Sequence, residues 1–280
     1  MSWSSNAEVR RCRPLLGTFV EVTVSGLTEN ELQDAVDAAF DAVEHLQSLL
    51  SVHAPDSELA LLNREAHLRP MRVRRETFTV LGRAHRLATE SGGAFDPTVS
   101  PLLARWGLLP RALRRKEPGD WRDVVLLPGG KVRFLRALAL DLGGIAKGFA
   151  VDAAITTLRR KGVKSAIVNA GGDLRVFGEP ATIHLRHPAA PQRFADTIQL
   201  RDAALATSSP CFTQKRWRGE TVSHLVDPAG RNPITGTTSV SVRASECWLA
   251  DALTKVVLVA PHKARKLLAR YGAEAFILTA

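Results

Sequence analysis

LDLGGIAKGFAVD, residues Leu140 to Asp152, is the stretch on which the reading of this chain turns. An apolar run meets Asp141, the pair Gly143 and Gly144, then Lys147 and Gly148, after which apolar residues recur at helical spacing. This order predicts a strand over Val132–Asp141 leading into a helix over Ile145–Arg160. Gly143 and Gly144 are expected to take backbone angles closed to other residues and to let a ligand approach the main chain. The unpaired N–H groups at the helix start then favour an anion, and a phosphate suits the place. The phosphate loop of nucleotide enzymes is excluded, because Lys147 precedes Gly148 and Phe149 follows where that pattern needs Gly-Lys-Ser/Thr; GxGxxG does not fit either. An ordinary strand-to-helix turn with one exposed lysine reads the segment equally well, so the surrounding sequence has to decide.

Around it lies a chain of 280 residues, 45% hydrophobic, with no stretch apolar enough to span a bilayer. The start, MSWSSNAEVRRCRP, is polar and runs into LLGTFVEVTV, which alternates like a strand and carries Glu21 where an export signal would stay apolar; the expected location is the cytoplasm. Cys12, Cys211 and Cys247 are far apart and form no metal-binding pair, which points to a reducing compartment and no structural zinc. The net charge of +10 raises the question of nucleic acid. The positive residues are dispersed in short groups without interleaved aromatics, so a solvated surface or a small anionic ligand is expected and nucleic acid is not.

Thr28 and Glu31 form a capping box ahead of Leu32, Ala35, Val36, Ala39, Phe40, Val43, Leu46 and Leu50, predicting a long amphipathic helix. Shorter helices are expected over Ser57–Asn63 and Glu76–Glu90. The stretch Trp106–Gly130, rich in Pro, Gly and Arg, reads as a surface excursion, and a boundary between lobes is expected near 107–130. Beyond Lys164–Asn169 come the glycine loop NAGGD, several short strands, helices over Ser245–Val259 and His262–Tyr271, and a closing strand in AEAFILTA. The pattern is α+β with mixed, mainly antiparallel sheets, because regular strand–helix alternation is missing.

Four further groups could carry chemistry. FDPTVSP sets Asp96 before a proline, either as a ligand contact or as a helix entrance capped by Thr98. Asn169–Asp173 puts a polar side chain and two glycines at a strand end, where ligands and plain turns both occur. In SHLVDPAGRNP, His224 is expected on a strand and can exchange protons at neutral pH, or it can be structural. Asp251, Thr254 and Lys255 share one face of a helix; they resemble half of a hard-cation site, with an Asp251–Lys255 ion pair as the alternative.

The order of LLGTFVEV, SVHAPDSELALLN, GGAFDPTVSPLLARWG, LDLGGIAKGFAVD, VNAGGDLRVFG, SHLVDPAGRNP and ECWLADALTKVV, from Leu15 to Val257, resembles the ApbE family of FAD:protein FMN transferases. The resemblance implies a two-lobed fold related to the T-fold, FAD as substrate, Mg2+ at its pyrophosphate, and an acceptor protein whose threonine hydroxyl receives FMN with release of AMP. Carried over by motif, it implies flavin contacts from Leu16, His53, Ala94, Phe95, Asp96, Asp141, Lys147 and Val226. Metal contacts would come from the Gly144 carbonyl, Asp251 and Thr254, and catalytic roles from His224 and Asp251. The chain departs from the family pattern in three ways: Lys255 stands where a threonine is usual, Thr207–Pro210 replaces the usual TSG, and the lipoprotein signal is missing, which implies cytoplasmic targets; His53 also occupies a position usually aromatic. FAD binding without transfer, or FAD hydrolysis to FMN and AMP, would use the same site.

Overall fold

The computed structural model describes residues 7–279; Met1–Asn6, part of the polar start, and Ala280, the last residue of AEAFILTA, lie outside the described residues. The main sheet is a succession of strands lying side by side in the order in which the chain makes them. They are β1 (Glu8–Leu15), β2 (Thr18–Ser25), β3 (Ser165–Ala170), β4 (Asp173–Phe177), β5 (Ala204–Ser208), β6 (Ser239–Ala244) and β7 (Glu274–Leu278). Every neighbouring pair is antiparallel. The helices are α1 (Glu29–Leu50), α2 (Glu58–Glu65), α3 (Arg75–Glu90), α4 (Ser100–Arg105), α5 (Ala146–Arg160), α6 (Cys247–Val259) and α7 (Pro261–Tyr271). The α+β, mainly antiparallel expectation holds.

Period-two alternation sorts the strand residues between the two faces. Val20, Val22 and Val24 of β2, Val168 of β3 and Val242 of β6 are almost fully buried on the face covered by α1, α5 and α6. The predicted apolar stripe of α1 is buried throughout, each large side chain contributing about 2 kcal/mol. Glu31 accepts hydrogen bonds from the Thr28 N–H at 3.0 Å and its hydroxyl at 2.6 Å, which fixes the start of α1. On β4, Leu174 and Val176 turn to the opposite face, where they form a smaller core with the hairpin Ala181–His187 and Ala190–Leu200. Asp173 and Arg175 therefore point toward α5.

Three local expectations are corrected. LLGTFVEVTV is not one strand: β1 and β2 form a hairpin whose tip, Leu16 and Gly17, has φ of 56° and 71°. A left-handed leucine costs about 1 kcal/mol, and its N–H is held by Gln47 Oε1 at 2.5 Å. The strand predicted over Val132–Asp141 stops early, as Lys131–Phe134, in a small sheet with Met71–Arg72 and Val124–Leu127. Beyond it, Leu138–Leu142 joins no sheet and is held by a side chain: the Asn63 amide donates to Leu140 O at 2.9 Å and accepts from Leu140 N at 2.7 Å. Trp106–Gly130 is more than an excursion, since it contains two 3-10 turns, Arg111–Arg115 and Trp121–Asp123, and the strand Val124–Leu127. Among the described residues no helix is long and apolar enough to cross a membrane.

Candidate functional site

The LDLGGIAKGFAVD segment lies where α5 leaves the buried Leu138–Leu142 run. Gly143 and Gly144 are absent from the positive-φ residues, so their expected conformational role is corrected to one of space. A Cβ at Gly143 would lie 3.0 Å from Asp141 Oδ2, and one at Gly144 would lie 3.3 Å from Phe95 Cε2. Gly148 lets two helices touch, because a Cβ there would meet Cys247 O at 2.3 Å. Asp152, one turn on, accepts from the Cys247 and Trp248 N–H groups at 3.0 and 2.9 Å and pairs with Arg175 at 2.6 Å. That carboxylate caps α6, whose own preceding residue, Glu246, makes no side-chain cap. α6 is thereby fixed with Asp251 beneath Gly148, whose N–H reaches Asp251 Oδ2 at 3.2 Å. The helix start consequently keeps fewer free N–H groups than expected.

A buried charge cluster follows. Lys147 Nζ pairs with Asp173 and lies 3.5 Å from Asp251 Oδ2, while Lys255 Nζ pairs with Asp251 Oδ1 and reaches Asp251 O at 3.0 Å. Asp251 and Thr254 are fully buried and Asp173 nearly so. Burial pushes the Asp251 carboxyl up, but the ammonium groups of Lys147 and Lys255 outweigh it and hold Asp251 below the ordinary carboxylate range. Asp173 is pushed up, by burial and then by the like charge of Asp251. For Lys147, burial is overcome by Asp173 and Asp251, so it stays protonated.

Above the cluster opens a cleft made of two adjoining hollows of about 480 Å³ each. Leu16, Asp141, Lys147 and His224 border both; Ala94, Phe95, Asp96, Gly144 and Val226 border one and His53 the other. Asp96, not Thr98, caps the following turn, accepting from the Thr98 N–H at 2.8 Å and its hydroxyl at 2.7 Å. Burial raises its pKa to about 6. Burial also raises Asp141, which accepts from the Gly143 N–H at 3.1 Å. His224 is on a bend between the strands Glu220–Val222 and Val226–Asp227, not on a strand. Ser223 fixes that bend by donating to Ile234 O at 2.6 Å and accepting from Leu225 N at 3.0 Å. Burial, with smaller effects of Lys215 and His53, lowers the His224 pKa, so its imidazole is neutral at pH 7.

Asp251 and Thr254 stand behind the wall of this cleft. The Thr254 hydroxyl donates to Asp251 O at 2.6 Å and meets Ser208 Oγ at 2.7 Å, and both Asp251 oxygens are taken by ammonium or N–H groups. Gly144, Asp251 and Thr254 therefore do not fit a divalent ion: a cation there would have to displace Lys255 and lie beside Lys147. The Asp251–Lys255 ion pair is what the helix forms instead. Sequence reasoning passed over Asp173 and Asp152, although each closes a stretch quoted for its glycines. Gln47, which holds the Leu16 turn, carried no local signal.

A cleft with a lysine at its floor, a neutral histidine on its wall and glycines along its backbone is of the class suited to a phosphate-bearing ligand. The ApbE family profile matches residues 16–277, and the chain belongs to that family. It is 29% identical over 274 residues to the FAD:protein FMN transferase of Vibrio cholerae, covering 90% of this chain and 81% of that protein. The transferase of Rhodobacter capsulatus is 30% identical, over 88% of this chain and 50% of its own length. Among solved structures, the ApbE protein of Thermotoga maritima superposes with a TM-score of 0.86 at 26% identity, covering 97% of this chain and 94% of that one. The flavin transferase ApbE of Vibrio cholerae gives 0.80 at 25% identity, over 97% and 93%.

Proposed function

We propose that this chain is an FAD:protein FMN transferase that moves FMN from FAD onto a threonine hydroxyl of an acceptor flavoprotein. The observation that carries this reading is the shared cleft: Leu16, His53, Ala94, Phe95, Asp96, Asp141, Lys147 and Val226, far apart in sequence, all border it. The threonine oxygen attacks the phosphorus of the FMN half, a new P–O bond forms, and the bond from that phosphorus to the bridging oxygen breaks. AMP leaves with the bridging oxygen. Such a step needs charge on the phosphoryl oxygens neutralised more than it needs covalent help, and Lys147 supplies positive charge facing the cleft. His224 accepts the threonine proton, and its lowered pKa supports this because the neutral imidazole is the competent form. Asp251 acts as a positioning residue that holds the two lysines. No step is routed through magnesium, whose expected ligands are already engaged.

The chain works as one unit with lobes joining near 107–130, a reading supported by a single sheet that runs from the first strand to the last. The cytoplasm is its assigned compartment, supported by three free cysteines. The test incubates the purified chain with FAD and an acceptor domain bearing a threonine. Covalent flavin on the acceptor with matching AMP is the expected result, and His224→Asn should slow it about a hundredfold while FAD still binds. Free FMN would indicate hydrolysis instead, intact bound FAD would indicate storage, and no FAD binding would end the reading.

A further inference from the structure

The floor of the cleft contains an arrangement that the family resemblance does not supply. The stem of Lys255 runs beside Gly144: a Cβ placed on that glycine would lie 3.6 Å from Lys255 Cε. Its ammonium pairs with Asp251 Oδ1 and also reaches Asp251 O at 3.0 Å. Lys255 thus lies between Gly144 and Asp251, two of the groups assigned to an ion, and the third, Thr254, is turned back into its own helix. The lysine side chain is only 19% exposed and Asp251 is fully buried, so the pair is not a loose surface bridge. Lys255 nevertheless borders the cleft, whereas Asp251 does not. The cluster of Lys147, Lys255, Asp173 and Asp251 balances two positive against two negative charges without any ion. A doubly charged cation at this place would stand against the ammonium of Lys255 and close to that of Lys147.

We propose that the Lys255 ammonium is a covalently built-in replacement for the divalent cation, so that this chain binds the pyrophosphate of FAD without added metal. Asp251 anchors the ammonium from behind, and the cleft-facing side of Lys255 meets the phosphate together with Lys147. A lysine point charge binds phosphate well without the coordination geometry an ion demands. The inference rests on the reading that the cleft holds FAD, and its test separates the two.

The measurement is the FAD dissociation constant of the full chain, read from quenching of flavin fluorescence in EDTA and in excess Mg2+. The wild-type chain is expected to give the same value within about twofold in both. Lys255→Met, which keeps the stem and removes the charge, is expected to weaken FAD binding about tenfold or more in both conditions. Lys255→Thr should be weak in EDTA and recover with Mg2+. Circular dichroism of each variant establishes that it is folded, and the wild-type comparison requires no variant. A tenfold loss of wild-type affinity in EDTA, or a folded Lys255→Met chain that binds FAD as the wild type does, overturns the proposal. Absence of FAD binding in every condition would instead strike the assignment of the cleft.

Discussion

Asp96 is the residue whose chemistry is most directly measurable. Its folded-state pKa of about 6 exceeds the ordinary aspartate value of 3.8, burial being the main cause. Between those values the folded protein holds a proton that the unfolded chain has released. The stability due to this group is therefore complete below about pH 4 and is lost as pH rises through about 6. Asp96→Asn preserves the acceptor oxygen for Thr98 and imitates the protonated form. Urea unfolding should find the variant more stable than wild type at pH 7.5, by on the order of 2 to 3 kcal/mol, with the gap closing below pH 4. A gap that does not change with pH would refute the assignment. At this scale the sequence was informative about which residues matter and less so about how they are held. Lys147 and His224 stood out by type and setting, but that Lys147 answers two buried aspartates depends on β4 and α6, which no local pattern brings together. Gly143 and Gly144 were legible as glycines and misread in purpose, because crowding by Asp141 and Phe95 leaves no trace in local spacing.

At the scale of elements, helices with a full apolar stripe were legible and the segments satisfied by side chains were not. α1 announced itself through its capping box and its repeat, and its burial follows that repeat closely. Leu138–Leu142 is as apolar as a strand, yet its partner is the amide of Asn63, an interaction separated by 77 positions in the chain. The β1–β2 turn was hidden because a leucine at positive φ is rare, so an alternating run appeared continuous. Asn63→Leu tests the importance of the amide. It leaves the N–H and C=O of Leu140 buried without partners and should cost about 2 to 4 kcal/mol, seen as a lower midpoint in urea. Because Asp141 follows immediately, FAD affinity should fall as well; a stable variant with normal affinity would show that packing and the two other bonds of the Leu138–Leu142 run, Ser100 Oγ to Ala139 O and Asp141 N–H to Pro97 O, hold it without the amide.

For the whole molecule, the cleft depends on parts drawn from almost the full length of the chain: the β1–β2 tip, the end of α1, residues 94–96, the start of α5, the start of β4, the His224 bend and α6. A ligand in it binds only when all of them are in place. FAD at a hundred times its dissociation constant should add about 2.7 kcal/mol and raise the melting temperature by roughly 5 °C, in one transition. Two transitions, of which FAD moves only one, would contradict a single cooperative unit.

The sequential order of the sheet also sets a schedule for biogenesis. Lys147, Asp152 and Asp173 are synthesised well before Cys247–Val259, the helix that answers them with Asp251, Lys255 and the capped N–H groups. A nascent chain can lay down its strands in turn as they emerge, but its cleft stays incomplete until α6 has been made. The ligand is thus captured only once α6 is in place, and a chain cut short before Cys247 loses Trp248, Leu253 and Val256 from the main core, so that the cleft and the core fail together.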